Sequence, residues 1–588
     1  MFLVLTADQR FWKNDEKILF LGEWCRLYRN KPDWFELDAE VLPYHWDNRA
    51  KYRQDYAYVD ALYEKYLGPL STELNQLHGV DHSTRYWRIV VGPWLYFFIG
   101  VFYDRFLSIN SAAESKKVTH TWIPSLNSNL YVPKDFLTLR EWYWGDAYNH
   151  YLYGIIIDEL GKFPYAIKTY ERLSEDKPQS RGYSSISPGK MVTKKILEKV
   201  GGWIPPRLNK VVFVSSYLHA NDLLRLQLSL GQFPYPCTPI VRAEDVPVDM
   251  KLREELKLSQ EENLFEKLLN DILPHQIPKA YVEGYLKFNQ RAMASFPSNP
   301  SLIYTTNGFW GNEGFNFWAA TQTERGAKLV ASQHGGCYGV VAWSAAEEHE
   351  TRVSDRYFSW GWKKTGQSKV VPFPSGQLAG LKPKISPDPR GGILWLGVSV
   401  TRYSSQLVSV PMSRQMLDYL KEQQRFSRAV SPEVHRLLVR RLFPIDYDWD
   451  EELRWADMDP ELKIYGGRKT MYQQLNESRL CIGTYNSTTD LETLARNYPT
   501  VTFFNPSMNE FRESAQPYFD DLRRVGIYHE TPESAAAKVN EIYKDPQLWW
   551  SSIDVQDVRK KFCHQFARTS ENWIPEWKKE FQKLIEES

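Results

Sequence analysis

Several short runs in this chain place a polar, glycine-rich or charged turn after an apolar stretch, a combination suited to holding anions. The richest is Cys481 to Pro506, CIGTYNSTTDLETLARNYPTVTFFNP. It reads as strand, turn, helix, turn, strand. Asn486 or Ser487 caps the helix, Ser487, Thr488 and Thr489 open it, and Asp490 and Glu492 sit in its anion-preferring first turn. Leu491, Leu494 and Ala495 recur at helical spacing and face a sheet. A hydroxyl-rich turn at the carboxyl end of a strand suits a nucleotide phosphate, because first-turn N–H groups are free there; the same pattern also fits an ordinary capped β-α-β unit.

Four further groups belong with it. In Ser332-Gln-His-Gly-Gly-Cys-Tyr338, Gly335 and Gly336 let backbone approach a ligand, and His334 can donate to a phosphate. In Val400-Thr-Arg-Tyr403, Arg402 can hold a diphosphate or carboxylate in two-pronged fashion. Arg440-Arg-Leu-Phe-Pro-Ile-Asp446 sets Arg441 at a loop exit that Pro444 shapes. In Arg140-Glu-Trp-Tyr-Trp-Gly-Asp146 with Asn149-His150, Asp146 and His150 stand at i and i+4, so they share a helix face and could act as an oriented base. Glu23, after the second strand, is a rival base. For each group the structural alternative is a solvated arginine, a packed aromatic or a core histidine.

These groups need strands to present them. Phe2–Thr6 and Ile18–Gly22 are apolar runs fit for parallel strands. From about 38 to 200 the pattern becomes aromatic and helical, as in Tyr52–Leu77 and Phe136–Leu160, and reads as an insertion. Val211–Ser215, Leu302–Thr305 and Lys328–Ser332 resume strands. Residues 371–392, rich in Pro, Gly, Ser and Lys, have linker composition. Ile393–Leu396 starts a second α/β set that runs to about 545, and 546–588 is a helical tail. The expected fold is therefore α/β: a Rossmann-like domain over 1–370, a linker, a second Rossmann-like domain over 393–545 and the tail, with a cleft between the lobes.

Composition narrows the function. The chain has 588 residues, too many for one core. Lys and Arg number 73 against 72 Asp and Glu, a net charge of +1, so no global field recruits nucleic acid. The five cysteines lack CxxC spacing, which argues for a reducing compartment and against zinc or a disulfide framework. Asp8 interrupts the N-terminus before a signal-peptide core can form. Ile89–Tyr103 is apolar but shorter than the roughly 20 residues of a span; it reads as a buried helix, with an aromatic face on a membrane surface as the alternative. No acidic pair stands in a loop suited to a divalent ion, so no metal and no cofactor beyond a co-substrate is expected.

FLGEWC at 20–25, the Asp146–Gly154 run, LGQFP at 230–234, SQHGGCYG at 332–339, SDRYFSWGW at 354–362 and TYNSTTDLETLARNYPTV at 484–501 together resemble a bacterial family, the surface-polysaccharide (O-antigen cluster) transferases. The layout is more distantly similar to GT-B glycosyltransferases, including capsule Kdo transferases and sialyltransferases that use CMP-activated sugars. The resemblance implies a GT-B-like fold and a glycosyltransferase with its donor nucleotide on the C-terminal lobe. That lobe would use a His-Pro loop and a Ser-Ser/Thr helix start. Ser487-Thr488-Thr489 matches the second feature, while Phe443 stands before Pro444 where the loop has histidine. The implied partners are a nucleotide sugar, best matched by CMP-linked Kdo or nonulosonate, and a lipid-linked oligosaccharide or polysaccharide acceptor. The implied place is the cytoplasm or the cytoplasmic face of the inner membrane.

On this reading the donor phosphate lies at 487–489 near Arg402 and Arg441, and Asp146, His150 or Glu23 deprotonates the acceptor. A polyol-phosphate transferase, a nucleotide-sugar 2-epimerase of the same fold and a glycan-binding scaffold without catalysis are the competing readings.

Overall fold

The structure is a computed structural model that describes residues 1–125, 128–169, 209–235, 237, 239–380, 385–467 and 469–587. Its described strands form three parallel sheets. The first contains β1 (Phe2–Val4), β2 (Ile18–Phe20), β3 (Ala39–Val41), β4 (His120–Ile123) and β5 (Tyr165–Ile167), in the order β3-β2-β1-β4-β5. The second contains β6 (Val211–Val214), β7 (Leu302–Thr305), β8 (Lys328–Ser332), β9 (Arg356–Ser359) and β10 (Val370–Pro372), in the order β10-β9-β8-β7-β6. The third contains β11 (Gly392–Leu396), β12 (Leu438–Arg441), β13 (Lys463–Tyr465), β14 (Ser478–Gly483), β15 (Thr500–Phe503) and β16 (Tyr528–His529), in the order β13-β12-β11-β14-β15-β16. Strands such as Val211-Val-Phe-Val214 are buried throughout, as parallel strands covered on both faces must be.

The α/β class and the two lobes are as the sequence led one to expect. The N-terminal half is more divided. The reading above joined Phe2–Thr6 and Ile18–Gly22 to Val211–Ser215 and took 38–200 as a helical insertion. In the structure β1 and β2 instead pair with β3, β4 and β5, and β6 begins a separate sheet. Strands β3, β4 and β5 are only three or four residues long, too short for a period of two to show. The part of that insertion from 170 to 200 lies outside the described residues. Within the span read as linker, β10 still pairs with β9 as far as Pro372, and 381–384 lie outside the described residues.

A 30-residue helix, Arg49–His78, starts at Asn48, whose side chain accepts from the Lys51 amide at 3.1 Å, and stops at Gly79, where φ is +63°. It packs on Gly92–Glu114, the helix that carries most of the apolar run Ile89–Tyr103 and is buried from Gly92 through Arg105. Thr84–Val90 meets Gly92–Glu114 at a 66° bend. Gly92 sits at the break because a Cβ there would lie 2.7 Å from the Tyr63 hydroxyl oxygen. Among the described residues no single helix is long and apolar enough to cross a membrane.

The tail ties the lobes together. Ile553–Phe566 packs on the third-sheet side, where Arg559 donates to the Leu494 carbonyl at 2.9 Å. Trp573–Glu586 then returns to the second sheet, burying Trp573, Trp577 and Phe581 against Val211, Phe213, Tyr304 and Phe358. Elsewhere the lobes meet in antiparallel bridges, Val341 with Phe511 and Ser344 with Val408, and through Arg49 to Glu510 at 2.7 Å and Arg512 to Glu347 at 2.9 Å.

Candidate functional site

Two strand ends face each other across the lobes. β8 ends at Ser332, and the loop after it is held by Gln333, whose side-chain oxygen accepts from the Trp360 amide at 3.0 Å and the Trp362 indole at 2.7 Å. Its side-chain nitrogen donates to the Gly335 carbonyl at 2.8 Å. Opposite, β14 ends at Gly483 and the helix Thr488–Ala495 begins, with Ser487 as cap accepting from the Asp490 amide at 3.2 Å. The Gly336 amide donates to Thr488 Oγ1 at 3.1 Å, directly bridging the lobes. A Cβ on Gly336 would lie 2.2 Å from the Ser487 carbonyl carbon, so only glycine permits this approach.

A cavity of about 500 Å³ opens beside this contact. His334, Gly335, Gly336, Asn486, Ser487 and Thr488 line one side, and the loop after β11, from Ser399 to Thr401 and from Ser405 to Met412, lines much of another. That loop is fixed by Tyr52, whose hydroxyl donates to the Val408 carbonyl at 3.1 Å and accepts from its amide at 2.9 Å. Arg140, Tyr143, Trp144 and Trp310 supply the remaining wall from the first half, and Tyr447 stands edge-on to Trp144 at 5.2 Å between ring centroids. Tyr447, Asp448 and Asp450 have φ of +51°, +63° and +55°, a run of left-handed backbone of the sort found where a loop serves a site.

The charge on this wall is distinctive. Among the described residues it contains no Asp, Glu or Lys; its cation is Arg140 and its histidine His334. Arg140 donates to the Trp310 carbonyl but pairs with no carboxylate among the described residues, and its Nε is buried without an acceptor. Trp144 Nε1 and Asn486 Nδ2 are likewise buried donors without acceptors, and Asn486 is only 4% exposed. Unsatisfied buried donors cost free energy that an anionic ligand can recover. Burial pushes His334 down to about 4, so its ring is neutral near pH 7 and able to accept a proton.

Of the residues expected from sequence, the fold gathers Asn486, Ser487, Thr488, His334, Gly335 and Gly336 on one cavity. Others lie elsewhere. Arg402 is 2% exposed and bound to Asp146 at 2.8 Å, with Asp448 at 3.5 Å, so it serves the packing of lobes while its neighbours Val400 and Thr401 reach the cavity. Asp146 also accepts from the Ala7 amide at 3.1 Å and from the Tyr403 hydroxyl. Burial opposes its ionisation, but Arg402 and these donors hold its carboxyl below the usual range. His150 shares that helix face, yet the face is turned to the first sheet: its ring meets the Trp122 carbonyl at 3.1 Å and Phe11 edge-on, and burial lowers it to about 4.

Glu23 is ion-paired with Arg26. Arg441 donates to the Lys469 carbonyl at 3.1 Å and to Gln474, and Pro444 is exposed. Glu492 is buried on the flank of its helix, where Tyr472 stands beside it, and is pushed up to about 7 by burial; Thr489 is half-buried outside the lining.

Arg140 and Trp144, which sequence reasoning passed over in favour of Asp146 six and two residues later, carried a visible signal: a cation among aromatics just before a helix. Glu350, which stands behind His334, carried none.

A comparison with curated proteins finds no match. Among solved structures, similarity is found to HepE of Anabaena in complex with UDP and glucose, at 11% identity over 64% of this chain and 99% of that chain, TM-score 0.35. A glycosyltransferase from Rickettsia africae matches at 11% identity over 64% of this chain and 99% of that chain, TM-score 0.35. WaaG, a glycosyltransferase involved in lipopolysaccharide biosynthesis, matches at 9% identity over 50% of this chain and 94% of that chain, TM-score 0.26. Scores of this size assign no residue here a role. The family match is of another order, because it spans both lobes and both cavity walls: over residues 1–581 the chain belongs to the LIC12162 family of transferases.

Proposed function

We propose that this transferase is a glycosyltransferase that takes an acidic sugar of Kdo or nonulosonate type from a CMP-linked donor and passes it to a growing surface polysaccharide, O-antigen or capsule. The observation that carries the reading is the cavity wall free of carboxylates, with a capped helix start on one lobe and Arg140 and His334 on the other. The donor phosphate lies at Ser487 and Thr488, where the first-turn N–H groups and the helix dipole favour negative charge. Arg140 takes the sugar carboxylate, and His334 accepts the acceptor hydroxyl proton as the bond from sugar to phosphate breaks. The transition state is oxocarbenium-like, so stabilising the departing phosphate counts most, and a positioned base adds on the order of 10²–10⁴-fold. The helix start supplies that charge in place of a divalent ion. A lipid-linked acceptor would bring the enzyme to the cytoplasmic face of the inner membrane.

Calorimetric titration with CMP-Kdo, CMP, CDP-linked polyol and UDP-glucose tests the reading, together with a transfer assay with and without EDTA. Arg140→Met should weaken CMP-Kdo about 10- to 100-fold, as loss of a charge-assisted contact does, and leave CMP within about 2-fold. EDTA should not change the transfer rate. Equal loss for CMP and CMP-Kdo would move Arg140 to the phosphate. Binding of the CDP-polyol alone would make the enzyme a polyol-phosphate transferase, and binding of none of them would remove the donor assignment.

A further inference from the structure

Behind His334 lies a carboxyl for which the proposal above has no use. Glu350 sits on the helix Ala345–Val353, which Ser344 caps, and is fully buried. One oxygen accepts from the Trp310 indole at 2.7 Å and the Tyr338 hydroxyl at 2.9 Å; the other accepts from the Tyr357 hydroxyl at 3.3 Å. The first oxygen is also 3.6 Å from His334 Nδ1. That nitrogen is buried and has no side-chain hydrogen bond among the described residues, Nε2 is 3.4 Å from the Tyr338 hydroxyl, and the Thr306 backbone also stands against the ring. Trp310, Tyr338 and His334 all line the cavity, so Glu350 is the layer that supports three wall side chains at once. A glutamine oxygen could accept from the same indole and hydroxyls. Packing therefore does not require a group that ionises, and burying one is costly.

We propose that Glu350 is a positioning residue: it draws the N–H of His334 to Nδ1, leaves Nε2 as the nitrogen that takes the acceptor's proton, and balances the charge the ring gains. The proposal rests on His334 being the base. In the step, the acceptor O–H bond breaks as its oxygen bonds to the anomeric carbon, and the proton goes to Nε2. The electron pair of the bond from sugar to phosphate leaves with the nucleotide. Nδ1–H then faces an ionised Glu350, and no further proton moves. The form that reacts is the one with Glu350 ionised and the ring neutral. Burial holds that carboxyl up to about 8 against the three donors. The other groups facing it are Glu347 on its own helix, which Arg512 neutralises at 2.9 Å, with Cys337, Tyr338 and Tyr357 from neighbouring elements. The catalytic rate should accordingly rise with pH toward about 8.

The test combines 15N NMR of the imidazoles, assigned with His334→Gln, and steady-state kinetics of Glu350→Gln across pH 6–9. In the wild-type protein the Nδ1–H tautomer of His334 is expected; finding Nε2–H overturns the proposal with no need for the variant to fold. In Glu350→Gln, kcat should fall on the order of 10- to 100-fold with the donor KM within about 2-fold, and the rise toward pH 8 should disappear. Wild-type kcat and an unchanged pH profile in that variant would also overturn it. Wild-type kcat in His334→Gln would instead remove the base assignment itself, a separate failure.

Discussion

Asp146 shows how a charge at a site-like position can be wholly structural. It is the main partner of Arg402, a buried cation whose other carboxylate, Asp448, stands at 3.5 Å. Removing one member of a buried pair leaves the other uncompensated, at a cost of about 3–5 kcal/mol, less whatever Asp448 recovers. Asp146→Asn should therefore lower the urea midpoint, while the folded fraction keeps its donor affinity and its turnover per folded molecule. Wild-type stability combined with collapsed turnover would reinstate Asp146 as the base. Arg140 behaves in the opposite way. Among the described residues it has no carboxylate partner to lose, so its replacement should be felt in ligand affinity and hardly at all in unfolding.

Among the elements, the loop after β8 and the helix Thr488–Ala495 act as a pair. The loop's glycine packs against one side of the helix entrance so closely that the second lobe's first turn is shaped by the first lobe's backbone. Gly336→Ala would force a methyl group against the backbone of Ser487, and overpacking of this kind costs about 1–3 kcal/mol. The expected result is a lower unfolding midpoint together with weaker donor binding, read by urea titration and calorimetry on the same sample. Unchanged values in both would mean that the two strand ends are not held in register. The helix-turn-strand around Ser487 was legible in sequence because cap, hydroxyls and apolar spacing agree locally. The pairing with Gly336 was not, since the two partners are 152 positions apart.

For the whole molecule, the buried titratable groups set a pH dependence of stability. Burial raises Glu313 and Glu350 to about 8 and Asp490 and Glu492 to about 7, and it lowers His150 and His334 to about 4 and His349 to about 3. A carboxyl with a raised folded value binds more protons folded than unfolded, so its stabilisation is present at low pH and is lost as pH climbs through that value. The histidines act the other way, gaining stability up to their ordinary 6.5. The two sets oppose each other below about 6.5 and only the carboxyls act above it. Stability should thus decline from pH 6.5 to 8, at about 1.4 kcal/mol per pH unit for each carboxyl still protonated. Urea unfolding at pH 6.5, 7.2 and 8 checks this, and Glu350→Gln should flatten the slope. Stability that rises over this interval would contradict the burial of these groups.

By itself, the sequence determined what neighbouring residues can settle among themselves: the strands Leu302–Thr305 and Lys328–Ser332, the capped turn at Ser487, the glycine pair after His334 and the buried character of Ile89–Tyr103. These follow from caps, spacing and apolar runs, which act over a few residues. Only the tertiary structure decided which polar groups face a ligand. Arg402 and Arg140 are alike as residues, but among the described residues the fold brings Asp146 to one and no carboxylate to the other, and Glu350 stands behind His334 because β8 and the helix Ala345–Val353 pack together. The free energy of a charge depends on its partners and its distance from water, and both are fixed by contacts between segments far apart in the chain.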